Sequence, residues 1–147
     1  MDYNEVKKNW QNKKITDEAD LKIALENFRI LFAYNSNKIE NPMTTYHDTR
    51  EIFENGRVEN YSGDLRTIFE IQNQKECFHF LTKKIIERSP LDENLIKEIH
   101  GILMKGCYDQ TRYEKGERPG QYKIHDYVVG YEVGIAPEDV ADEIRDL

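Results

Sequence analysis

Hydrophobic and polar positions alternate with helical spacing along most of the chain. The clearest case is residues 16–41, TDEADLKIALENFRILFAYNSNKIEN. Leu21, Ala24, Leu25, Phe28, Leu31 and Phe32 recur at the period of one helix face, so that face is expected to be buried. Thr16 or Asp17 suits the N-cap, Glu18 and Asp20 suit the first turn, and Pro42 stops the helix after Asn41. Asn41 is expected to close it in the left-handed conformation. Before this helix, residues 2–14 read as a short polar helix or arm, held by Trp10 with Val6 and Tyr3.

Further helices are predicted at 46–54, 64–89 and 93–105. Thr44 or Thr45 caps the first, Asn55-Gly56 closes it, and Ser89-Pro90 ends the second. The stripe of the second, from Leu65 to Ile85, is interrupted by Gln72-Asn73-Gln74, read as a kink or an exposed middle. Leu95, Ile99, Ile102 and Leu103 mark the buried face of the third. Residues 106–123 have no period and read as loop. Residues 124–129 and 132–136 read as two short strands about Gly130-Tyr131, a hairpin that needs helices beneath it. Pro137-Glu138-Asp139 opens a last helix. The fold class is therefore mainly α, a helical bundle with one small β-hairpin.

The chain has 147 residues, enough for one ordinary core. A net charge of −7 disfavours a general nucleic-acid or anionic-membrane surface, so neither partner is expected. No apolar run approaches the roughly 20 residues a spanning helix needs. Cys77 and Cys107 are the only cysteines, and the N-terminus is polar, which points to reduced thiols and a cytoplasmic setting. His47, His79, His100 and His125 show no zinc-site spacing with each other or with the cysteines, and no metal site is expected.

The chemically odd feature is the end of the long helix. Ser36 and Glu40 lie four residues apart on one stripe. Glu40 is a carboxylate at a helix C-terminus, where the dipole prefers a cation. The plain alternative is a solvated helix-end glutamate. An arginine partner would relieve the placement through a charge-assisted, often bidentate pair.

Ser36, Glu40 and Asn41 match Ser/Thr-x-x-x-Glu-Gly/Asn, and with residues 35–58 this stretch resembles the inhibitory helix of Fic-domain proteins in which that helix precedes the catalytic core. Leu95, Ile99, His100 and Leu103 resemble the start of that core, and Gly120-Gln121-Tyr122-Lys123 resembles the entry to its flap, with Lys123 where arginine is usual. The resemblance implies an N-terminal helical region over residues 1–90, with the inhibitory helix at 17–41, and the start of a Fic core over 91–147. It implies that Glu40 is an inhibitory carboxylate that pairs with an arginine of the nucleotide site and blocks the γ-phosphate, with Ser36 in support. It implies that Tyr127, Val128, Val129 and Gly130 belong to a flap whose edge aligns a target protein by strand addition.

The family signature His-x-Phe-x-Asp/Glu-Gly-Asn-Gly-Arg is absent from the 147 residues, and no histidine here precedes Gly-Asn-Gly-Arg. The resemblance places it beyond Leu147, so no catalytic residue is expected in this chain. The complete protein would use ATP and Mg²⁺ to transfer AMP to Ser, Thr or Tyr hydroxyls of a target protein. The chain alone is expected to be inactive and to take no cofactor. Whether it forms a homo-oligomer is left open. The alternative reading is a non-catalytic protein-binding or regulatory helical module.

Overall fold

Asp17 accepts a hydrogen bond from the Asp20 amide at 2.9 Å and starts the longest helix of the protein, α2, which runs Glu18–Glu40. The computed structural model describes residues 2–146, and of Val129 it describes the backbone alone. The other helices are α1 (Tyr3–Asn12), α3 (Tyr46–Asn55), α4 (Leu65–Ile86), α5 (Glu93–Leu103), α6 (Gln110–Glu114) and α7 (Val140–Arg145). Aspartate or threonine side chains cap α1 to α6, Thr45 on α3 and Asp92 on α5 among them. Gly56 ends α3 with φ +70°, the left-handed geometry a glycine takes without strain. The fold is mainly α, a helical bundle in which α4 packs against α2, α3 and α5.

The core joins Ile30 and Ala33 of α2 to Ile52 and Phe53 of α3 and Ile71 of α4. Each large side chain fully buried there contributes about 1.5–3 kcal/mol. This is not the whole stripe that the periodicity selects. Leu21 is buried, but Phe28, Leu31 and Phe32 are 53%, 51% and 49% exposed. The helix is apolar around more than one face, and α3 and α4 cover the stripe of Ile30, Ala33 and Asn37. Phe28 and Phe32 lean edge-on against Phe78 of α4, with ring centroids 6.3 and 5.9 Å apart, and keep their outer faces open.

The Gln72-Asn73-Gln74 turn neither kinks α4 nor faces solvent. The helix is continuous, and Asn73 is 4% exposed. Its Nδ2 donates to the carbonyls of Leu103 at 3.0 Å and Lys105 at 2.7 Å, which close the C-terminal end of α5. Buried polarity is tolerated there because its amide donor is used in joining two helices. Gln74 serves the other side, its Oε1 accepting from Asn37 Nδ2 of α2 at 3.0 Å.

Three further expectations are corrected. Residues 106–123 are not all loop, because Asp109 accepts from the Arg112 amide at 2.9 Å and nucleates α6. The strands shrink to β1 (Val128–Val129) and β2 (Glu132–Val133), an antiparallel pair with Val128 opposite Val133 and Val129 opposite Glu132. Val128, Tyr131 and Val133 are exposed, so these residues of the hairpin stand off the helices. At the N-terminus, Tyr3 is exposed and no residue of α1 is buried, while Trp10 remains 40% exposed. The segment from Pro137 begins as a 3-10 turn, Pro137–Asp139, and continues into α7.

Candidate functional site

The C-terminal turns of α2 are fixed from beneath by polar side chains. Buried Asn37 donates to the Ala33 carbonyl at 2.7 Å as well as to Gln74. Asn41 does not adopt the left-handed conformation expected of it; its backbone is extended, with φ −125° and ψ 97°. The reason is that its side chain is engaged on both sides. Nδ2 donates to Thr67 Oγ1 in the first turn of α4 at 2.8 Å, and Oδ1 accepts from the Met43 amide at 3.0 Å. The end of α2 is thereby tied to the start of α4.

Ser36 and Glu40 face an open cleft of about 240 Å³ between those two helices, lined also by Arg66, Glu70, Gln74 and Met104. Ser36 is half-buried and Glu40 is exposed. Among the described residues Glu40 makes no ion pair within 4.0 Å. The nearby cation of its own helix, Lys38, is taken up by the carbonyls of Pro42 at 3.0 Å and Thr44 at 3.1 Å. The cation across the cleft, Arg66, donates through Nε to Glu70 Oε1 at 2.7 Å. That hydrogen bond pushes the Arg66 pKa above its ordinary value, and the field of Glu40 adds in the same direction. Glu40 thus ends a helix on the dipole's unfavourable side with no cation bound to it. Sequence reasoning missed Arg66 and Glu70; their signal was an Arg and a Glu four apart in the first turns of a predicted helix.

The flap residues lie elsewhere. Tyr127 precedes β1, Val128 and Val129 form it, and Gly130 enters the turn with φ +66°. The Tyr127 carbonyl accepts from the Gly134 amide at 3.0 Å, and its phenol donates to Glu117 Oε1. Arg112 Nε reaches Glu117 Oε2 at 2.6 Å, and Arg112 Nη2 donates to the Tyr127 oxygen at 3.2 Å. The hydrogen bond from Tyr127, then that from Arg112, hold the Glu117 carboxyl below its usual range. The phenol of Tyr127 is in turn raised, chiefly by Glu117. This three-residue tie between α6 and the hairpin root was not visible in the sequence, where both Arg112 and Glu117 fell in an apparent loop. Arg112, Glu117 and Tyr127 also line a second cleft with His100, Tyr122 and Lys123, and no described residue lines both it and the one at Glu40.

His100, on α5, accepts from the Gly120 amide through Nδ1 at 2.9 Å, in keeping with a hydrogen-bonding role. Burial and then the Arg112 charge lower its pKa from the ordinary 6.5. The unfolded chain therefore takes up this proton at a higher pH than the folded one. The stabilisation is complete above the unfolded value and is lost as pH falls through about 6.5 toward the lower folded value. The wild-type melting temperature is expected to fall from about pH 7.5 to about pH 5.5 more steeply than that of His100→Asn, which keeps an acceptor and does not titrate. Parallel profiles would remove His100 from the pH response.

Among the described residues no group of three or more His, Cys, Asp or Glu is placed to hold a metal ion. At the Glu40 cleft two carboxylates, Glu40 and Glu70, face one guanidinium, that of Arg66. Cys77 and Cys107 are both buried and free, and burial raises both thiols, which makes them poor nucleophiles. Among the described residues no helix is long and apolar enough to cross a membrane. Compared with known proteins, the chain matches no family model, no curated protein and no solved structure.

Proposed function

We propose that this chain is the inhibitory and target-aligning portion of a Fic-type protein adenylyltransferase, with the phosphate cradle and catalytic motif supplied by residues outside these 147. The observation that carries the reading is Glu40: a carboxylate at the end of α2, beside Ser36, open to a cleft and free of any cation among the described residues. Such a group is poised to accept an arginine from outside α2 and α4, and the arginine it captures is withdrawn from the γ-phosphate of ATP. On this reading the nucleotide site lies outside these residues, and the chain's own part is limited to three tasks. It presents Glu40, it fixes that helix end through Asn37 and Asn41, and it offers the edge of β1 and β2 to an extended segment of a target protein.

The test is ATP-dependent self-labelling of the complete protein with and without Glu40→Gly; equal labelling would sink the inhibitory role. The chain itself is expected to gain no thermal stability from Mg²⁺-ATP, and a clear upward shift would count against the assignment.

One observation favours the second reading, a non-catalytic protein-binding module. Phe28, Leu31, Phe32 and Ile39 form an open apolar strip along α2 that continues to Ser36. If the complete reading frame carries no Fic motif, that strip rather than Glu40 becomes the functional surface.

A further inference from the structure

Two charges near Asn41 and Thr67 stand at helix ends that disfavour them. Glu40 is the last residue of α2, next to the negative pole of its dipole. Arg66 is in the first turn of α4, next to the positive pole. The Asn41–Thr67 hydrogen bond of 2.8 Å joins the residues immediately following each of them, so Glu40 and Arg66 flank one tie and line one cleft. Pairing them would relieve both placements. The structure instead gives Arg66 to Glu70, one turn further along its own helix. Arg66 is 53% exposed and a solvent-accessible i,i+4 pair is weak, so leaving Glu70 for another acceptor would cost Arg66 little.

We propose that Glu70 sequesters Arg66 and so keeps the Glu40 carboxylate open for a cation from outside α2 and α4, with Arg66 as an internal competitor for Glu40. Glu70 is then a positioning residue that acts through Arg66. Its consequence for inhibition rests on the function proposed above, whereas the exchange of partners does not. Anything that takes up the Glu70 carboxylate, such as a basic side chain of a docking protein, would release Arg66 onto Glu40 and withdraw Glu40 from its external arginine.

The experiment is side-chain NMR on this chain, following the Arg66 Nε–H group. Glu70→Ala is chosen because alanine is the best helix former at a mid-helix position. In the wild type, contacts from Arg66 to Glu70 are expected, with none to Glu40. In Glu70→Ala, Nε–H exchange is expected to stay slow while new contacts to the Glu40 methylenes arise. In Glu70→Ala/Glu40→Ala the exchange is expected to quicken about two- to fivefold, the loss of one solvent-accessible ion pair. Arg66 that is already on Glu40 in the wild type overturns the proposal. So does Arg66 that exchanges as fast in the single variant as in the double one. In the complete transferase, Glu70→Ala is expected to raise self-labelling and Glu70→Ala/Arg66→Gln to return it to the basal level. A partner exchange seen by NMR together with an inert Glu40→Gly variant would refute the inhibitory function and leave the exchange standing. An active Glu40→Gly variant with no exchange would do the reverse.

Discussion

If the function proposed above holds, replacing Glu40 by glycine in the complete protein is expected to raise self-adenylylation by about 5- to 150-fold, the span that a coupling of 1–3 kcal/mol gives. The argument follows from what holds Glu40 and what does not. Nothing in the fold depends on its carboxylate, which is exposed, unpaired among the described residues and on the disfavoured side of the α2 dipole. The helix end is secured by other groups, Asn37 on Gln74, Asn41 on Thr67 and Lys38 on two carbonyls. Glycine at the last helical position therefore removes the charge and leaves the fold. On the same proposed reading, Ser36→Ala is expected to have a smaller effect of the same sign, because its hydroxyl lines the same cleft without carrying the charge. Labelled-ATP incorporation is the measurement, and level incorporation across wild type and Glu40→Gly would exclude an inhibitory Glu40.

The second large effect concerns stability. Asn73→Leu is expected to cost roughly 2–4 kcal/mol, since two partly buried carbonyls lose a buried donor together. It should lower the melting temperature by about 5–15 °C for a domain of this size. The volume change is small, so the loss reports polarity rather than a cavity. Asn73 Nδ2 bridges the carbonyls of Leu103 and Lys105 at 3.0 and 2.7 Å, which fixes where α5 ends against α4. Leu103 and Met104 line the Glu40 cleft, so loosening this bracket also moves that wall. Urea denaturation checks the value, and a loss below about 1 kcal/mol would reduce Asn73 to an ordinary surface-type hydrogen bond.

Helix ends were largely readable in the sequence because capping is local. Asp17, Thr45, Asp64 and Asp92 each act within three residues, and the sequence placed the caps at Asp17 and Thr45 to within one residue. What periodicity did not reveal is which apolar stripe is covered. On α2 the aromatic positions looked like the core, yet Ile30 and Ala33 are buried beside Asn37 because α3 and α4 approach that side. Polar residues misled in the opposite direction. Gln72-Asn73-Gln74 reads as an interruption only while its partners on α2 and α5 are unknown. The Ser36–Glu40 stripe was legible from spacing. Its neighbours Arg66 and Glu70 were not, because nothing local says that the first turn of α4 meets the last turn of α2. The Arg112–Glu117–Tyr127 tie spans fifteen positions and a helix hidden in an aperiodic stretch.

The placement of Trp10 has an optical consequence. It is the sole indole, it sits half-open on a helix with no buried residue, and its near neighbours in the adjoining cleft are Ile15, Leu21 and Ile85. Tryptophan emission therefore registers the attachment of α1 and not the melting of the Ile30–Ile71 core. On a denaturant gradient the emission is expected to shift before far-ultraviolet ellipticity changes, and the two curves would coincide only if α1 came off with the bundle. A fluorescence midpoint taken alone would make this protein look weaker than its interior is.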